Sequence, residues 1–127
     1  MVLKNEKYFE NEYFCGTPDL IVGGVVYDIK NSWDCFTFPL FETECPNKDY
    51  FYQLQVYMHL TGCNRAVLTY VLLNTPEHMT WEDQHDYDGL DDKYRIKTFE
   101  FEYQPEVIKD LEQRVLNIRE YIITLKN

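Results

Sequence analysis

Two aspartates and a lysine in the stretch GTPDLIVGGVVYDIKNS, residues 16–32, have the types and spacing to act on a phosphate. The apolar runs flanking Gly23 and Gly24 read as paired strands, because two glycines between such runs favour a two-residue hairpin turn. Val22 then faces Val25, and the same register sets Asp19 opposite Asp28 and Thr17 opposite Lys30. Side chains alternate along a strand, so Asp28 and Lys30 share one face while Ile29 takes the other. Opposed carboxylates repel, an arrangement that selection for stability alone avoids. A divalent cation with oxygen preference, Mg2+ or Mn2+, removes the conflict, with Asp19 and Asp28 as ligands and water completing its shell. Lys30 is then placed to orient an attacking water or to stabilise charge developing on a phosphate. The competing reading is a surface hairpin with an ordinary Asp–Lys pair; the facing Asp19 and the apolar flanks weigh against it.

The elements that must position these groups follow from periodicity. Residues 4–15 alternate aromatics with acids and suit a strand, or a hairpin bent near Asn11, leading into the central pair. Glu10 or Glu12 there can add a carboxylate, although solvated strand positions explain them better. A helix is expected over residues 50–61, with Asp49 as N-cap and Gly62 as its stop. Phe51, Leu54, Met58 and Thr61 form its buried stripe, while Gln53 and Tyr57, one turn apart, lie on an adjoining face. From that face the glutamine can hold a water or a phosphate, steadied by the tyrosine. Residues 65–73, RAVLTYVLL, read as an interior strand covered on both faces. Hairpin, helix and returning strand give an α/β (α+β) class, a mixed central sheet flanked by helices.

Other stretches carry weaker signals. The aromatic-rich loop after Trp33 offers Trp33, Phe36 and Phe38 for stacking on bases, although packing beneath the loop is the favoured explanation. Residues 74–92 are polar and acidic; His78 and His85 fall there without ligand spacing and are assigned no chemistry. Lys93, Arg95 and Lys97 alternate with Tyr94, Ile96 and Thr98 as a strand with a basic edge, fit to contact phosphates or to guard that edge. Pro105 opens a last helix whose Val107, Leu111, Val115, Ile118, Ile122 and Leu125 form one apolar face, for packing on the sheet or on another subunit.

Composition bounds the class. A chain of 127 residues is expected to form one domain, and its 17% aromatic content argues against disorder. No apolar run reaches membrane-span length and no signal-peptide core is visible, so a soluble, cytoplasmic protein is expected. Four cysteines without a CxxC pair read as reduced thiols rather than a zinc site. The net charge of −10 opposes nonspecific adhesion to nucleic acid, so a DNA-processing role requires bound metal and a local basic surface.

Gly16, Pro18 and Asp19, then Asp28 and Lys30 on a strand, then Gln53 and Tyr57 on a helix, resemble the PD-(D/E)XK nuclease superfamily in its RecB-like and lambda-exonuclease-like branch. The resemblance runs over residues 16–73 in motif and element order. It implies a restriction-endonuclease-like fold and metal-dependent hydrolysis of DNA phosphodiesters, in recombination, repair or phage DNA processing. Asp19 and Asp28 would hold Mg2+, Lys30 would assist the water and Gln53 would position the site. Such nucleases carry an N-terminal helix with a further metal-binding Glu. Here the residues before Gly16 look extended, which reads as a minimal or shortened domain, as substitution by Glu10 or Glu12, or as help from another subunit. The alternatives are a noncatalytic DNA- or protein-binding module on the same fold and an acidic DNA mimic, the latter having no use for Lys30 beside a carboxylate.

Overall fold

The computed structural model describes residues 3–32, 36–74 and 87–126. Its centre is a four-stranded mixed sheet in the order β3-β4-β5-β6, formed by Leu20–Val22, Val25–Ser32, Arg65–Leu72 and Ile96–Glu102. β3 and β4 are the expected hairpin. Both turn glycines adopt positive φ, 58° at Gly23 and 77° at Gly24, as a turn matched to the strand twist requires. Val22 pairs with Val25 and Leu20 with Tyr27, the register read from the sequence.

β4 runs parallel to β5, and a parallel pair needs a crossover connection. The crossover contains α1, Lys48–Thr61. This helix begins earlier than expected, because its N-cap is Asn47 rather than Asp49. The Asn47 Oδ1 accepts from the backbone N–H of Asp49 at 2.9 Å and of Tyr50 at 3.4 Å, which places Asp49 inside the first turn. Gly62 closes the helix in the left-handed conformation and donates to the Met58 carbonyl at 2.9 Å.

Leu54 and Met58 are buried against Val26, Ala66, Leu68, Leu72 and Phe99 on one sheet face, with Phe38 folded beneath the loop as core. Gln55, rather than Phe51 or Thr61, completes the buried helix surface. Its amide bridges distant chain segments, donating to the Glu102 carbonyl and accepting from the Gln104 N–H, both at 2.9 Å. β5 is interior in strand order but buried on one face only; among the described residues its other face is half-exposed, so the expected double cover is corrected.

Two further expectations change. Asp92–Tyr94 form a 3-10 turn, capped by the Asp91 side chain on the Lys93 N–H at 3.3 Å, so β6 starts at Ile96 and the basic alternation is not one continuous strand. The last helix, α2, spans Pro105–Leu125 with proline in its first turn, and among the described residues its main packing partner is α1 rather than the sheet. Residues 4–15 take the bent form: β1 (Phe9–Glu10) pairs with β2 (Cys15–Gly16), and the Asn11 side chain accepts from the Tyr13 and Phe14 N–H groups at 2.8 Å across the bend.

Candidate functional site

The hairpin register brings the two aspartates together just beyond the last ladder pair. Asp19 spends Oδ2 on the Ile29 N–H at 3.2 Å, so its carboxylate lies across β4 beside Asp28. From outside, Asn5 fixes this corner: its Nδ2 donates to the Pro18 carbonyl at 2.9 Å, and its N–H donates to the Asp19 carbonyl at 2.7 Å. Pro18 is buried, which leaves the backbone there little freedom.

Asp28 is 3% exposed. Lys30, on the same strand face, sets its Nζ 3.0 Å from Asp28 Oδ2 as an ion pair, and among the described residues no group completes a hydrogen bond to this buried oxygen. Burial raises the Asp28 pKa above its usual 3.8; Lys30 works against that rise and the neighbouring Asp19 adds to it. A buried carboxylate with one oxygen lacking a donor is costly in isolation.

α1 supplies the opposite wall. Lys30 Nζ donates to Gln53 Oε1 at 3.3 Å, and Gln53 Nε2 donates to the Tyr57 hydroxyl at 3.0 Å. The ammonium also lies 4.5 Å from the centroid of the Tyr50 ring. Burial pushes the Tyr57 phenol above its ordinary pKa, so it stays protonated at neutral pH. Gly16 explains how Tyr57 comes so close: a Cβ at that position would sit 2.5 Å from Tyr57 Cε1. The glycine, the aspartates, the lysine, the glutamine and the tyrosine therefore form one connected cluster.

The residues fit a divalent cation. Asp19 and Asp28 offer hard oxygen ligands, and the orphaned Asp28 oxygen is the kind of acceptor a cation would satisfy. Among the described residues no group of three His, Cys, Asp or Glu side chains forms, so Glu10 and Glu12 do not join the pair. Mg2+ commonly takes one or two carboxylates and completes its shell with water and phosphate oxygens.

Beside the cluster opens a cavity of about 640 Å3 lined by Lys30, Ser32, Thr37, Asn47, Lys48 and Tyr70 at the start of α1. Across the sheet Lys30 is in register with Tyr70, and Tyr70 with Lys97, so Lys97 extends the basic character along the same face. Arg95 instead donates to the Leu72 carbonyl at 3.3 Å, and Lys93 lies on the 3-10 turn with its Nζ 4.9 Å from the Tyr94 ring centroid. Trp33, His78 and His85 fall outside the described residues. Asn5 and Gln55, which hold the Asp19 corner and the α1 seat, carry no sequence motif that marks them.

Three solved structures share this arrangement of elements. A phage-related exonuclease from Haemophilus somnus 129PT superposes with a TM-score of 0.88 at 27% identity over 100% of this chain. The fold is exonuclease-like. An alkaline exonuclease from Laribacter hongkongensis (LHK-Exo) superposes over 99% of the chain with a TM-score of 0.69 at 19% identity. Its complex with dAMP superposes over 98%, with a TM-score of 0.64 at 19% identity. The chain spans 64%, 61% and 57% of those three proteins respectively, under two thirds of each. No protein-family model and no curated protein sequence matches it. Among the described residues no helix is long and apolar enough to cross a membrane.

Proposed function

We propose that this protein is a metal-dependent deoxyribonuclease of the PD-(D/E)XK type, hydrolysing DNA phosphodiester bonds in an exonuclease-like manner. The observation that carries the reading is the buried Asp28, with an oxygen that has no hydrogen-bond donor among the described residues, set beside Asp19 and 3.0 Å from Lys30. Its likeness to a phage-related exonuclease at 27% identity supports the same reading.

Asp19 and Asp28 would hold Mg2+ or Mn2+. When bound, the ion supplies electrophilic stabilisation of the charge that builds on the phosphate. The chain's own residues do the positioning. Lys30 presents its ammonium at the mouth of the carboxylate pair, where it orients a water or a phosphate oxygen. Gln53 fixes the lysine from α1, and Tyr57, as a neutral phenol, fixes the glutamine. In the hydrolysis a water oxygen bonds to phosphorus, one P–O ester bond breaks, and the departing oxygen takes a proton. The adjoining cavity, about 640 Å3 in volume, has room for a nucleotide, with Lys30, Lys48 and the N-terminal end of α1 facing its phosphate. Lys97 continues that face, and Trp33, Lys93 and Arg95 complete the proposed nucleic-acid contacts.

Linear, nicked and circular DNA incubated with Mg2+ or Mn2+ provides the test, run beside Asp28→Asn and Lys30→Ala. Cleavage by the wild type that both substitutions reduce by about a hundredfold or more supports the proposal. DNA binding without cleavage in all three proteins would identify a noncatalytic module instead.

A further inference from the structure

Lys30 is held from three sides. Its Nζ lies 3.0 Å from Asp28 Oδ2, 3.3 Å from Gln53 Oε1 and 4.5 Å from the centroid of the Tyr50 ring. The ring contact differs from the other lysine–ring contacts among the described residues. Lys7 with Phe9, Lys93 with Tyr94 and Lys97 with Phe99 are near neighbours in sequence, where a flexible side chain simply lies over the next ring. The Lys30 contact instead crosses from β4 to α1, and the lysine side chain is only 23% exposed. A cation over a ring face is held more strongly where water is excluded.

The ring is backed by the core. Tyr50, Gln53 and Tyr57 follow one another at three and four positions along α1, so one helix face carries all three. The Tyr50 ring meets Tyr70 at 6.2 Å between centroids, and Tyr70 meets Phe99 edge-on at 5.9 Å. Tyr70 and Phe99 are both buried, and Tyr70 is the residue of β5 in register with Lys30. Tyr50 therefore stands as a fixed wall between the lysine and the start of α1.

We propose that Tyr50 is a positioning residue for Lys30, its ring face keeping the ammonium at the carboxylate pair once Asp28 has taken a cation. The role deepens the nuclease reading and rests on it. One carboxylate serves two cations poorly: a divalent ion on Asp28 weakens the hold of that carboxylate on Lys30, and the two positive charges repel. The Gln53 oxygen is neutral and receives a single bond. The negative face of the ring supplies the remaining attraction, and it offers no ligand atom that the metal could claim. Without it the ammonium is free to turn into the cavity of about 640 Å3 that Lys30 and Tyr50 both line.

NMR of protein carrying carbon-13 at the lysine ε-carbons tests the placement, with the Lys30 signal assigned by its loss in Lys30→Arg. Protons over a ring face are shielded, so the Lys30 ε-methylene should resonate upfield of an exposed lysine and stay there when Mg2+ is added. Asp28→Asn withdraws the carboxylate charge with no metal present, and there too the signal should stay upfield. In cleavage of linear DNA, Tyr50→Phe should keep kcat within about threefold of wild type. Tyr50→Leu, and replacement of Tyr50 by a ring-fluorinated phenylalanine that keeps the shape but drains the ring face, should each lower kcat about tenfold at unchanged KM. A Lys30 signal that moves to the exposed position with Mg2+ or in Asp28→Asn, or a fluorinated ring as active as Tyr50→Phe, would overturn the role of Tyr50. A wild type that cleaves nothing would overturn the nuclease reading instead, while the Asp28→Asn spectrum still decides whether the ring holds the ammonium.

Discussion

Asp28 concentrates the physical tension of the molecule: a carboxylate 3% exposed, beside a second acid, with a lysine at 3.0 Å that does not fully answer it. Because burial raises its pKa, the folded state holds the Asp28 proton more tightly than the unfolded chain does. Stability from that proton is therefore complete below the usual 3.8 and is lost as pH rises through the raised value. Metal-free protein should melt at lower temperature as pH climbs through that window, and Asp28→Asn should flatten the slope. At neutral pH the variant should melt about 3–5 °C above wild type in chelator and lose the rise in melting temperature that Mg2+ gives the wild type. Differential scanning calorimetry reads both effects. Gly16→Ala tests the tyrosine's seat. The added methyl meets the Tyr57 ring, so Gln53 loses its anchor and DNA cleavage should fall about tenfold. Tyr57→Phe keeps the ring and removes the hydroxyl; an equal loss in a cleavage assay would show that the anchoring bond, not the ring's bulk, is what matters.

At the scale of elements, the hairpin and α1 do the assembling, and their ends are set by single side chains. Asn47 accepts from two backbone N–H groups at the start of α1, so Asn47→Ala should cost about 1 kcal/mol, seen as a lower midpoint in urea at unchanged slope. Much of this scaffold could be read in advance because it is local. The two glycines dictated the register that joins Asp19 to Asp28, and helical periodicity placed Gln53 beneath Tyr57. Nearby competition defeated the finer readings: Asn47 and Asp49 are both good caps, and the extended backbone that makes Asn47 the cap is not written in residue type. Alternation suggested a strand from Lys93, but the Asp91 cap curls that segment before the ladder begins. Long-range partners left no trace at all. Gln55 is explained only by Glu102 and Gln104, and Asn5 only by Pro18 and Asp19. On the last helix Val107 fits the apolar spacing as well as Ile108 does, yet Ile108 is the residue that is buried, a choice that rests on where α1 lies.

The whole molecule carries a net charge of −10, yet its candidate site would have to receive a polyanion. Self-repulsion of that size is screened by salt, so raising NaCl from about 0.02 to 0.2 M should lift the melting temperature of metal-free protein by a few degrees. The converse, a fall in melting temperature over the same range, would point to ion pairs outweighing the excess charge. The parallel pairing of β4 with β5 has a consequence in time. A hairpin is local and closes in about 1–10 µs, so Asp19 and Asp28 meet early, while both are still in water. Gln53 reaches Lys30 only when α1 has crossed over and docked, and that same step buries Asp28. The docking helix therefore carries the cost of desolvating the acid. A cation that binds the finished acid pair lowers that cost, so Mg2+ should slow unfolding in stopped-flow measurements, and should speed refolding only as far as α1 is already seated at the transition state.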